Sequence, residues 1–181
     1  MPDFDYSLPG AYFVTICAHR RERLFGEIVL DEMKLNQLGA IVNECWVQIP
    51  AHFANVQLAA HVVMPNHLHG LVSIHEVVPT RQCRPTHQHP SVGAQHAAPA
   101  CGRRREIAAG SLAAIIRSFK AASTRRARDV LQEPEFVLWQ RNFYDTVLRN
   151  AKEFRNAQRY IIENPLKWYA DRENPEFERA L

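Results

Sequence analysis

No stretch of this chain approaches the ~18 consecutive apolar residues that a membrane-spanning helix requires, so the sequence offers no transmembrane segment. Cysteine is scarce. Cys17, Cys45, Cys83 and Cys101 lie far apart and form no C-x-x-C pair, which excludes a disulfide framework and points to reduced thiols in a cytoplasmic setting. The acidic start Met1-Pro2-Asp3-Phe4-Asp5-Tyr6 is unlike a secretory leader. Lysine is scarce too: arginine outnumbers it 18 to 4. A merely solubilising surface needs no such bias, whereas planar bidentate recognition of phosphate does. The formal net charge is only +3, but residues 101 to 129 carry eight basic side chains against two acidic ones. With the turn His19-Arg20-Arg21-Glu22-Arg23, this patterning implies a polyanionic partner. At 181 residues the chain suits one domain with one core.

The most informative segment that is present is Val62-Val63-Met64-Pro65-Asn66-His67-Leu68-His69-Gly70-Leu71-Val72. In an extended chain side chains alternate between faces, so His67 and His69 project together while Leu68 enters the opposite side. Two imidazoles so placed suit one divalent metal. A pair of exposed strand histidines is the plainer reading, and H-x-H alone does not decide between the two.

A second segment adds chemistry. Read as a helix, Glu153 to Asn164 places Phe154, Ala157 and Ile161 on an apolar stripe and aligns Asn156, Tyr160 and Asn164 at i, i+4, i+8. The Asn164 amide oxygen then becomes a third candidate ligand, one turn from the phenol of Tyr160. Pro165 makes Asn164 the last helical position at best. The plainer reading is an amphipathic closing helix with a half-buried Tyr160 and Asn164 as a C-terminal cap.

Together these segments resemble a known family. VVMPNHLHG (62–70) resembles the histidine-hydrophobe-histidine motif of single-tyrosine HUH transposases, and YIIENP (160–165) resembles their nucleophile helix. The nearest likeness is to REP-associated tyrosine transposases, which Tyr12-Phe13-Val14-Thr15-Ile16-Cys17 and Trp139-Gln140-Arg141-Asn142-Phe143-Tyr144-Asp145 also match. The resemblance spans roughly residues 8 to 170. Where that subfamily often carries glutamine after the tyrosine, this chain has Asn164. The resemblance implies cleavage and rejoining of single-stranded DNA beside a hairpin, through a 5′-phosphotyrosine on Tyr160. It also implies a repetitive extragenic palindrome as partner, a monomer or homodimer, and association with the nucleoid when DNA is bound.

Along the chain, Ala11–His19 reads as a strand, Leu35–Ile49 as a helix ended by Pro50, and Val56–Val63 and Leu68–Ile74 as strands around Met64-Pro65-Asn66. From about Val77 to Gly110 a Pro-, Ala-, His- and Arg-rich stretch without periodicity reads as a flexible insertion. It holds Cys83, His87, His89, His96 and Cys101, whose spacings match no established zinc pattern. Ser111–Leu131 reads as a helix, Phe136–Leu148 as extended and Ala151–Glu163 as the tyrosine helix, with the tail after Pro165 packed or frayed. A β-α-β-β-α-β order marks an α+β, ferredoxin-like antiparallel sheet with helices on one face, followed by the C-terminal helix carrying Tyr160.

His67, His69 and Asn164 holding magnesium or manganese would offset phosphate charge and orient phosphorus for attack, although ligand type alone also admits zinc. Tyrosine suits the role because its phenolate both attacks and leaves, which conserves the bond for rejoining. No residue stands out as its activating base. DNA contacts are expected from Arg20, Arg21 and Arg23 and from Arg117, Lys120, Arg125, Arg126 and Arg128 on the basic helix. Two alternatives keep part of this pattern: a non-catalytic hairpin-binding protein, and a metal-dependent phosphodiester hydrolase.

Overall fold

The computed structural model describes residues 9–76, 110–170 and 174. Strands β1 (Gly10–Cys17), β2 (Gly26–Val29) and β3 (Glu32–Leu35) precede helices α1 (Gln37–Val47) and α2 (Ile49–His52). Then follow β4 (Val56–Met64), β5 (His67–Ile74), helix α3 (Leu112–Leu131), β6 (Tyr144–Leu148), helix α4 (Ala151–Glu163) and the 3-10 turn Pro165–Ala170. The main sheet runs β4-β5-β1-β6, with every pairing antiparallel. This is the ferredoxin-like arrangement expected from the element order, and it makes β5, with the histidines, a central strand.

Alternation along β1 and β5 divides the molecule. Tyr12, Val14, Ile16, Leu68, Val72 and Ile74 face α1 and α3 and form the main core with Val42, Trp46, Ile115, Ile116 and Phe119. Burying each such side chain contributes roughly 1.5–3 kcal/mol. Their neighbours Phe13, Thr15, Cys17, His67, His69 and Leu71 face the other way, in register as Cys17↔His67, Thr15↔His69 and Phe13↔Leu71. Helix α4 covers that second face, where its Ile161 is buried.

Gly70 is needed where it stands, because a methyl there would overlap the indole of Trp46. Helix starts follow the sequence. Asn36 Oδ1 accepts from Gly39 N at 2.9 Å and Ser111 Oγ from Ala114 N at 3.3 Å. Asn150 Oδ1 accepts from Lys152 N and Glu153 N, while the Glu153 carboxylate accepts from Arg149 N at 2.8 Å.

Three expectations are adjusted. Pro50 does not simply end α1: it occupies the first turn of the short α2, where its missing N–H costs nothing. The segment 136–148 is not continuously extended, since the strand is only Tyr144–Leu148 and Trp139 forms an isolated bridge to Ala18. The β2-β3 hairpin was not foreseen, because its turn places Leu30 and Asp31 at φ of 52° and 61°, a conformation leucine seldom signals. The stretch read as an insertion lies outside the described residues except for Gly110, as do Cys83, His87, His89, His96 and Cys101; Cys17 and Cys45 are buried thiols. Among the described residues no helix is long and apolar enough to cross a membrane.

Candidate metal and nucleophile site

The tight Pro65-Asn66 connection sets Met64 opposite His67 and starts β5 on the first histidine. His67 and His69 are almost wholly buried, and their Nε2 atoms approach to 3.0 Å. Each ring is steered from behind. Asn66 Nδ2 donates to the Arg21 carbonyl at 3.1 Å, so its Oδ1 faces His67 Nδ1 at 2.8 Å and can only accept. This assigns the Nδ1–H tautomer to His67 and leaves the Nε2 lone pair aimed at His69. Thr15 Oγ1 lies 2.8 Å from His69 Nδ1. A hydroxyl both donates and accepts, so His69 is free to carry its proton on either nitrogen. With the proton on Nε2 it donates to His67; with the proton on Nδ1, accepted by Thr15, both Nε2 lone pairs open onto one point.

Burial, reinforced by the nearby Arg21 charge, holds the His67 imidazole down at about 3, so it is neutral at physiological pH. A neutral imidazole is the form that binds metal. Among the described residues no three His, Cys, Asp or Glu side chains gather, so within them a third donor beside the two histidines would be of another kind. Asn164 is the candidate that the sequence offered. It is 1% exposed, and its Oδ1 is a buried acceptor with no hydrogen-bond partner. An orphaned buried acceptor costs free energy unless something absent from the protein alone satisfies it. The Pro165 that follows leaves Asn164 helical, at φ −60° and ψ −41°, because the chain runs directly into the 3-10 turn.

Helical spacing places Asn164 between Tyr160 and Trp168, one turn from each, and both neighbours touch the histidines. The Tyr160 ring lies 5.3 Å from that of His69, and Trp168 lies 6.1 Å from His67. Phe13 stacks on His69 at 5.2 Å and meets Tyr160 edge-on at 5.9 Å. Tyr160 remains 41% exposed. The fold thus brings together the two histidines, the tyrosine and, by spacing, the amide. Sequence reading missed Thr15, Asn66, Phe13 and Trp168 as supports. Only Asn66, beside His67, carried a local signal; Thr15 acts through strand register.

The basic residues divide between the two faces. Arg21 and Arg23 belong to the histidine side: Arg23 lies 5.8 Å over Trp168 and donates to Asn174 Oδ1 at 3.2 Å, and Asn174 in turn donates to the Trp168 carbonyl. Arg20 and Arg21 both adopt positive φ, 54° and 57°, costing about 1–2 kcal/mol per residue; this turn is what presents the Arg21 carbonyl to Asn66. The basic helix α3 packs on the opposite face. There Arg117, Lys120, Arg125 and Arg128 line a groove of about 770 Å³ against residues 134–140. Arg117 and Arg125 are exposed in it. Lys120 is a staple, donating to the carbonyls of Gln140 at 2.8 Å and Asn142 at 2.7 Å, and burial lowers its ammonium to about 8. Arg128 donates to the Phe136 carbonyl at 2.9 Å. Arg126 does not line the groove: it pairs with Glu44 at 2.6 Å and ties α3 to α1.

No family model matches the sequence. An uncharacterized protein of Haemophilus influenzae is 36% identical over 173 residues, covering 93% of this chain and 87% of that protein. Among solved structures, a REP-associated tyrosine transposase bound to a REP hairpin superimposes with a TM-score of 0.57 at 18% identity, over 91% of this chain and 72% of the other. The chain therefore belongs to one family with the Haemophilus influenzae protein and has the fold of a REP-associated tyrosine transposase.

Proposed function

We propose that this chain is a metal-dependent transposase-type enzyme that cleaves and rejoins single-stranded DNA beside a hairpin, through a 5′-phosphotyrosine on Tyr160. The observation that carries the reading is the site itself: two buried imidazoles with converging Nε2 atoms, and the orphaned Asn164 amide oxygen on the helix that carries Tyr160. The similar solved structure holds a REP hairpin, and a hairpin of that kind is the partner proposed here.

His67, His69 and Asn164 would hold magnesium or manganese, whose chemistry when bound is to neutralise a non-bridging phosphate oxygen. Asn66 and Thr15 fix the two rings, so the donors are set before the substrate arrives. Phe13 and His69 hold the ring of Tyr160 at the edge of this site. The Tyr160 oxygen attacks phosphorus, the bond from phosphorus to the 3′ oxygen breaks, and a free 3′-hydroxyl leaves with the proton. The 5′ phosphate stays on Tyr160, and attack by a 3′-hydroxyl reverses the step without an outside energy source. Arg21 and Arg23 flank the reacting strand, while Arg117 and Arg125 hold duplex phosphates on the far face.

The test is a denaturing gel with a labelled REP hairpin carrying single-stranded flanks. Wild-type protein with manganese should give a metal-dependent covalent adduct, and Tyr160→Phe should give none. Cleavage without an adduct would instead indicate a hydrolase, and binding without cleavage a hairpin-binding protein.

A further inference from the structure

Beside the nucleophile, away from the metal donors, an open hollow of about 350 Å³ lies between α4 and the strands β1 and β6. Its lining is Phe13, Thr146, Leu148, Asn156, Ala157 and Tyr160. The walls are hydrocarbon and aromatic, and among the described residues the only side-chain polar groups in the lining besides the phenol are the Asn156 amide and the Thr146 hydroxyl, on exposed residues. Phe13 links the parts: it stacks on His69, meets Tyr160 edge-on, and lines the hollow. Asn156 stands one turn before Tyr160 on the same side of the helix, yet takes no part in the chemistry described above.

We propose that this hollow receives one unpaired base of a nucleotide flanking the scissile phosphate, and that Asn156 and Thr146 contact its edge. The proposal rests on the preceding reading of Tyr160. A phosphate presented to the Tyr160 oxygen carries its neighbouring base one sugar away, and the hollow that shares the Tyr160 ring is the adjoining apolar recess. A base in a duplex is stacked and paired and does not enter such a recess, whereas a single-stranded base has both faces available for aromatic contact. An amide offers a donor and an acceptor, and a hydroxyl offers both, so together they suit a base edge. The hollow would therefore select where along a single strand the enzyme cuts, a choice that phosphate contacts cannot make.

The experiment uses full-length protein and the hairpin substrate with its cleavage position mapped. Replacing the flanking base by an abasic site on one side of the scissile phosphate should slow adduct formation by about tenfold or more, the range expected when one base–aromatic stack is removed. Ala157→Phe, which fills the hollow from α4, should slow the intact substrate comparably and add nothing on the abasic one. Thr146→Trp fills it from the exposed edge strand and serves if the first variant melts early. Asn156→Ala should change the ranking of the four bases at that position. Abasic substrates cut as fast as intact ones, or filling and abasic effects that multiply in full, would overturn the proposal. Occupancy is read independently of cleavage by scanning 2-aminopurine along the flanks bound to Tyr160→Phe protein. One position should change its fluorescence, and Ala157→Phe in the same background should abolish that change. If no adduct forms with any substrate but this signal is present, the phosphotyrosine reading fails and the pocket stands; if adducts form and no position responds, the pocket fails alone.

Discussion

Replacing Asn66 by alanine isolates the device that aims His67. The Asn66 side chain is buried at 1% exposure between the Arg21 carbonyl and His67 Nδ1. Without it, the Nδ1–H of a fully buried ring loses its acceptor, at a cost of about 1–3 kcal/mol. The Arg21 carbonyl belongs to a half-buried residue and recovers part of its bond from water. Without an acceptor at Nδ1 the ring no longer favours the tautomer that opens Nε2, and removing such a supporting group lowers metal affinity by about 10–100-fold. The assay is a manganese titration by calorimetry on wild type, Asn66→Ala and Asn66→Asp, with imidazole nitrogen shifts reporting the tautomer. Asn66→Asp keeps an acceptor at His67 but sets a carboxylate oxygen against the Arg21 carbonyl, so it should keep more manganese affinity than the alanine variant while still losing stability. An Asn66→Ala protein that folds and binds manganese like wild type would show that His67 needs no such steering.

Gly70→Ala drives a methyl into the Trp46 ring across the central strand, and should cost about 2–3 kcal/mol in overpacking. At this chain length that is a fall in Tm of roughly 5–10 °C, and an unchanged Tm would mean that Trp46 moves freely. The metal-free protein should lose stability as pH falls from about 6.5 towards about 3: His67 stays neutral when folded and takes a proton when unfolded, so the unfolded state binds more protons in that window. His67→Asn should flatten that part of the Tm–pH curve, and parallel curves would contradict the burial argument. Arg117→Ala with Arg125→Ala should reduce the salt dependence of hairpin binding by a slope of about 0.9 for each duplex phosphate left without its arginine. Arg126→Ala should leave the slope unchanged, because that guanidinium is committed to Glu44, and equal effects would move the DNA off the α3 groove.

The parts of the fold that were legible in the sequence are those in which local pattern and tertiary demand agree. The run around His67 and His69 forms the strand its extended reading indicates, with both of its faces buried, and the amphipathic Ser111–Leu131 segment and the Asn150-capped tyrosine helix each bury the face their periodicity indicates. The β2-β3 hairpin was hidden because its turn places Leu30 at a φ of 52°, a conformation that leucine rarely takes and so does not signal. At the site, His67, His69, Tyr160 and Asn164 stood out by type and spacing. Thr15 did not, since its role depends on pairing with His69 across 54 residues. Nor could charge counting show that Arg126 and Lys120 spend their donors on α1 and on the 140–142 segment, or that the groove on α3 and the tyrosine occupy opposite faces of the sheet.

One covalent bond separates a tyrosine transposase from a hydrolase or a hairpin-binding protein, and its position can be read chemically. The adduct formed with manganese and the hairpin substrate can be digested with nuclease and protease and its modified peptide sequenced by mass spectrometry. A nucleotide phosphate should be found on the Tyr160 oxygen, in the peptide that also contains Asn164. Attachment at Tyr144 or Tyr169, both more exposed than Tyr160, or a cleaved strand with no attached protein, would contradict the assignment of Tyr160 as nucleophile.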